Sequence, residues 1–124
     1  MKDADLTSQR EVVDAFLAAS RAGNFDALLA VLDPDVVFRH DRTTVPAGAS
    51  REVHGALAVA RQFSGRARGA RPALVNGAVG VVVAPRGRLT RVVTFKIRRG
   101  KIVEIDVLAD PARLRQLDLA VLND

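Results

Sequence analysis

At 124 residues and 48% hydrophobic content, the chain is long enough for one domain with a core of its own and too short for two of ordinary size. The absence of cysteine excludes a disulfide framework and thiolate zinc sites; acids stand near the N-terminus where a signal peptide needs an apolar run, and no later stretch approaches membrane-spanning length, so a cytoplasmic protein without membrane association is expected. The formal charge of +5 is unevenly placed, because the stretch from Val53 to Val103 holds eleven Lys and Arg and no Asp or Glu, which leaves the remainder at −6. Such asymmetry can mark a nucleic-acid face, but the chain has no Trp and no Tyr on which bases would stack. Neutralisation across the fold or a dimer is the preferred reading, with no sequence-specific DNA binding by this chain alone.

Ser8 followed by Glu11 reads as a capping box, and Val12, Val13, Phe16 and Leu17 then recur at helical spacing until Gly23, predicting a helix over about 8–22. Asn24 can cap a second, shorter helix with Phe25, Leu28, Leu29 and Leu32 on one stripe, closed by Asp33-Pro34. "DVVFRHD" alternates as a half-buried strand, residues 42–54 read as a loop through Pro46 and Gly48, and a third helix starts at about Gly55 with Leu57, Ala60 and Phe63 inward. Four further segments, "PALVN", "AVGVVVA", "RLTRVVTFKIRR" and "KIVEIDVLA", are separated by Asn76-Gly77, by Pro85-Arg86-Gly87 and by Arg99-Gly100, the punctuation of an antiparallel meander. Asp110 can cap and Pro111 can start a last helix, with Leu114, Leu117 and Val121 on one side and Leu119 and Leu122 on another.

This order predicts an α+β domain spanning 1–124: a cone-shaped, curved antiparallel sheet packed against three helices, with a short C-terminal helix and a pocket at the open end of the cone. In the last strand of the meander, strict alternation places Ile102, Glu104, Asp106 and Leu108 on one face and Val103, Ile105, Val107 and Ala109 on the other. One face is wholly apolar. The other carries two carboxylates and is a candidate pocket wall.

The opening "AFLAASRAGNFDALLAVLDPDVVF" and the closing "GKIVEIDVLADP" resemble the SnoaL-like, nuclear-transport-factor-2-like superfamily over nearly the whole chain. That scaffold hosts cyclases, isomerases, dehydratases and purely regulatory domains, so the resemblance implies a fold before it implies a function. A narrower resemblance, strongest in "IDVLADPARLRQLDLAVL", is to the C-terminal extension of a group of bacterial extracytoplasmic-function (ECF) sigma factors, in which such a domain follows the promoter-binding sigma regions and tunes them. Asp110-Pro111-Ala112-Arg113-Leu114 matches that group's Asn/Asp-Pro-x-x-Leu signature. Where the group carries Asp-Gly-Gly-Gly, this chain has Asp41-Arg42-Thr43-Thr44, and nothing in it reads as the sigma regions themselves.

The resemblance implies a non-enzymatic regulatory and interaction domain whose partners are the sigma regions or RNA polymerase, with Asp110, Pro111, Leu114, Leu119 and Leu122 as candidate contacts. A small apolar ligand in the pocket, and a homodimer when the domain is isolated, are further expectations. Phe16, Phe38, His40, Phe63, Phe95 and Asp106 are the candidate pocket residues, although the phenylalanines serve equally as plain core. The competing reading is a free-standing isomerase, cyclase or dehydratase acting on an apolar metabolite, with Asp106 as base and His40 or Arg61 as donor. Against it stands a simpler role for Asp106, an ion pair with a cross-strand arginine such as Arg91. His40 and His54 lack metal-ligand spacing and the glycines do not form a nucleotide loop, so neither metal nor cofactor is expected.

Overall fold

A computed structural model of the chain describes residues 6–41, 52–66 and 69–122. Helix α1 (Leu6–Ala22) ends at Gly23, whose φ of 66° is the left-handed stop its sequence predicts. Ser8 lies inside the first turn of α1 rather than at its cap, because the helical backbone already runs from Leu6. Asn24 caps α2 (Phe25–Val31), its side-chain oxygen accepting from the Ala27 N–H at 3.1 Å.

Strand β1 (Leu32–His40) starts earlier than expected and takes in Asp33-Pro34. It tolerates them because its register with the neighbouring strand shifts between Leu32 and Val37, where the missing proline N–H breaks no regular ladder, and Asp33 accepts instead from the Asp35 N–H at 2.9 Å. The expected 42–54 loop falls largely outside the described residues; its last part forms β2 (Glu52–His54), antiparallel to β1. Helix α3 (Ala56–Phe63) follows, with Val59 and Ala60 fully buried and Leu57, expected inward, 55% exposed.

The meander forms as predicted: β3 (Ala70–Val75), β4 (Ala78–Val83), β5 (Arg91–Arg98) and β6 (Lys101–Leu108) pair antiparallel in sequence. Asn76 and Gly77, and again Arg99 and Gly100, both take positive φ, the geometry of the tight turn that matches strand twist. After β6 the chain makes a single helical turn, α4 (Pro111–Leu114), and then a strand, β7 (Leu119–Val121), instead of the longer helix its leucines suggested. Asn76 decides this. Its N–H donates to the Asp118 carbonyl and its side-chain oxygen accepts from the Asp118 N–H, both at 2.8 Å, which lays the tail alongside β3.

Among the described residues, seven strands join one sheet in the order β2-β1-β6-β5-β4-β3-β7, antiparallel throughout except for the parallel β1–β6 pair. Helices α1 to α3 cover its inner face over a core that includes Val13, Phe16, Leu28, Val36, Val59, Ile102 and Ile105. A smaller cluster lies on the outer face, where Leu114 of α4 packs on Ala73, Val75, Val82 and Val92.

The alternation expected for β6 is broken by a bulge. Lys96 faces Glu104 but Ile97 faces Ile102, so Val103 is an extra residue, and Ile102 joins Ile105 and Val107 in the inner core. Packing is equally strict in β4. A Cβ on Gly80 would stand 2.6 Å from the Val93 carbonyl oxygen and 3.0 Å from Val75 Cγ2. Gly80→Ala is therefore expected to cost about 1–3 kcal/mol through forced separation of β4 from β5; urea unfolding with an unchanged midpoint would contradict this packing.

Candidate functional site

Among the described residues, two hollows with polar and aromatic linings lie on opposite faces of the sheet, and a third is lined by Leu89, Pro111 and Leu114 beside the turn after β6. The inner one, between the helices and the sheet, has a volume of about 180 Å³. Four phenylalanines wall it: Phe16 of α1, Phe38 of β1, Phe63 of α3 and Phe95 of β5. Phe16 meets Phe63 and Phe95 edge-on, with ring centroids 5.0 and 5.4 Å apart, and Phe38 meets Phe63 at 4.7 Å. Such contacts hold the rings in fixed orientation as well as burying them. The phenylalanines are thus core and cavity wall at once.

His40, two residues beyond Phe38 on the same strand, meets that ring at a tilt of 56° and a centroid distance of 4.3 Å and also lines the cavity. Burial and the Arg91 guanidinium lower its pKa, opposed by the Asp41 carboxylate, so the imidazole is neutral at pH 7. Arg66, Arg91 and Gln62 complete the polar part of the lining. Ser20 contributes a hydroxyl that is buried and without a hydrogen-bond partner.

The outer hollow, about 600 Å³, has a different chemistry. Its floor is β1, β5 and β6, and its lining includes Arg39, Glu52, Thr94, Asp106, Asp110 and Arg113. Arg39 organises it. Its Nε donates to Glu52 at 3.0 Å and its Nη1 to Glu104 at 3.1 Å, with the Asp106 carboxylate 3.9 Å away. Glu52 also meets His54 at 3.0 Å, and the Arg39 and His54 hydrogen bonds draw its pKa down. Burial raises the Asp106 pKa, and Arg39 opposes that rise. These groups are half-exposed, so the network orients side chains more than it stabilises the fold.

Asp106 therefore stands on the sheet face opposite the aromatic cavity, paired with Arg39 rather than Arg91, which lines that cavity. His40 borders both hollows, and Arg61 is exposed on α3 and lines neither. Arg39 escaped the sequence reading because only the parallel pairing of β1 with β6 sets it opposite Asp106.

The turn after β6 is anchored from β1. Asp41 Oδ2 accepts from the Ala109 and Asp110 N–H groups at 2.6 and 3.0 Å, and the Asp110 carboxylate accepts from the Ala112 N–H at 3.1 Å. Pro111, Ala112 and Arg113 are thereby held facing solvent, while Leu114 is buried in this domain's own outer cluster. Leu119 is half-buried against that cluster, and Leu122 against the main core. Among the described residues no cluster of His, Cys, Asp or Glu could hold a metal, and no helix is long and apolar enough to cross a membrane.

The curved, unclosed sheet wrapped around helices on one face makes the chain a SnoaL-like, nuclear-transport-factor-2-like domain. No family model matches it. The chain is similar to the ECF RNA polymerase sigma factor SigJ of Mycobacterium tuberculosis, with 30% identity over 119 residues that span 84% of this chain and 38% of SigJ. The crystal structure of that sigma factor superposes with a TM-score of 0.69 at 29% identity, over 86% of this chain and 44% of that one. The chain thus spans less than half the length of SigJ. A putative isomerase from Bacillus subtilis (TM-score 0.60, 13% identity, 92% of this chain and 94% of that one) shares the fold alone. So does a protein of unknown function from Burkholderia xenovorans, with a TM-score of 0.58 and 20% identity over 90% of this chain and 94% of that one.

Two outcomes are expected. In an NMR titration the His40 imidazole takes its proton below the ordinary histidine value near 6.5, and Arg91→Gln moves the midpoint upward. Because the unfolded imidazole binds its proton first as pH falls, the stability that His40 contributes is present above about 6.5 and is lost as pH falls toward the folded value; a midpoint at or above 6.5 would contradict the buried placement. Asp41→Ala should strip hydrogen-exchange protection from the Ala109 and Asp110 amides and cost about 1–3 kcal/mol, as expected when charge-assisted acceptors leave two donors unmet. Unchanged protection would mean that the turn holds itself.

Proposed function

We propose that this chain is a non-enzymatic regulatory domain of the ECF sigma-factor type, acting on sigma regions or RNA polymerase in the cytoplasm. The observation that carries the reading is the pairing of SigJ similarity with an anchored Asp110-Pro111-Ala112-Arg113-Leu114 turn. A segment that contacts a partner gains from being rigid before contact, since less ordering entropy is lost on binding. Here Asp41 supplies that rigidity from outside the turn, and Leu114 bolts its far end to the sheet. Pro111, Ala112 and Arg113 are the exposed atoms that a sigma region would meet, beside the carboxylates of the outer hollow.

The aromatic cavity is, on this reading, a site for a small apolar ligand that tunes the domain. The enzymatic alternative draws less support: Asp106, its base, faces the outer hollow and an arginine, while the lining of the aromatic cavity has no carboxylate among the described residues.

The test is a chimera in which this chain replaces the region of SigJ to which it is similar, assayed by transcription in vitro from a SigJ-dependent promoter. Removing the residues from Asp110 onward, or substituting Pro111 and Arg113 by Ala and Glu, is expected to change transcript yield several-fold. Yield indifferent to both changes would sink the regulatory role of the turn.

A further inference from the structure

The aromatic cavity carries a charge pattern that its apolar walls do not explain. Among the described residues, both charged side chains in its lining, Arg66 and Arg91, are cations, and the ion pairs lie elsewhere. Set against a low-dielectric wall and without a carboxylate partner among the described residues, such a cation attracts an anion more strongly than it would in open water. A further polar group points the same way. Ser20 is 1% exposed, its Oγ has no partner, and it belongs to the lining; the Gly65 N–H donates to its backbone carbonyl at 2.7 Å, which brings the following residue, Arg66, beside it. A buried hydroxyl with no partner costs stability, so its presence in a cavity wall marks an acceptor that arrives from outside.

We propose that this cavity binds a small aromatic carboxylate, its ring among the four phenylalanines, its carboxylate on the Arg66 and Arg91 guanidiniums, and the Ser20 hydroxyl donating to it. Size restricts the class. A cavity of about 150 Å³ accepts one benzene, so about 180 Å³ has room for a single ring with a short acid side arm. Arginine suits the role because its planar fork meets both carboxylate oxygens. The inference rests on the reading of the cavity as a ligand site and adds the charge and size of the ligand.

The experiment is calorimetric titration of the full chain with phenylacetate and with its neutral analogue phenylacetamide at neutral pH. Phenylacetate is expected to bind with Kd below about 1 mM and the amide at least tenfold more weakly. Arg66→Gln with Arg91→Gln, both exposed positions whose loss leaves the core intact, should bring phenylacetate down to the affinity of the amide and leave the amide itself unaffected. Equal binding of the two probes would overturn the carboxylate while leaving the apolar-ligand reading standing; binding of neither would overturn both. Ser20→Ala is expected to raise the melting temperature of the free protein by roughly 3–6 °C, since an unmet donor is removed, and to weaken phenylacetate about threefold. A lowered melting temperature would show the hydroxyl to be satisfied already and would remove Ser20 from the site.

Discussion

The parallel hydrogen bonding of β1 to β6 is the constraint on which the rest of this structure depends. It joins a strand that follows the helical hairpin to one that closes the meander, some 65 residues later in the chain, as the Arg39 to Glu104 contact records. On the inner side it aligns Phe38 with Ile105 and His40 with Val107, and so builds the wall against which α1 and α3 close the aromatic cavity. On the outer side the same register sets Arg39 opposite Asp106 and brings Asp41 to the turn after β6. Both hollows and the anchored turn are products of one strand pair.

The bulge at Val103 makes that pairing compatible with a buried core. Ile102 and Ile105 are three residues apart, an odd spacing that would send them to opposite faces of a regular strand. The extra residue turns both inward, where each is fully buried, and leaves Glu104 and Asp106 on the face that Arg39 and Lys96 can reach. Without it, a large aliphatic side chain would face water or a carboxylate would enter the core, and either costs more than the ladder bonds lost at a bulge.

The two faces differ in chemistry. The inner cavity is apolar with cations at its edge and an uncharged imidazole, a chemistry that suits a small anion with a hydrophobic body. The outer face is an ionic network ending in a rigid, solvent-facing turn, a chemistry that suits another protein. His40 borders both hollows and sits one residue before Asp41, the residue that pins the turn. An occupant of the cavity and a partner at the turn would therefore press on adjacent residues of one strand.

Local patterning in the sequence determined the helical hairpin, the meander and its turns, because Gly23, Asn24, Asn76-Gly77 and Arg99-Gly100 set backbone geometry through their own chemistry with little help from distant residues. It also indicated that Phe16 and Phe38 belong to the interior, since their positions follow helical or strand period. Tertiary structure alone decided that Ile102 joins Ile105 and Val107 on the buried face of β6, because the bulge depends on how β6 pairs with β5. It alone made Arg39 the partner of Asp106, through a parallel pairing between segments far apart in sequence. The tail became a strand for the same reason: a short leucine-rich run fits either period, and the Asn76 clamp on Asp118 chose the one that adds an edge to the sheet.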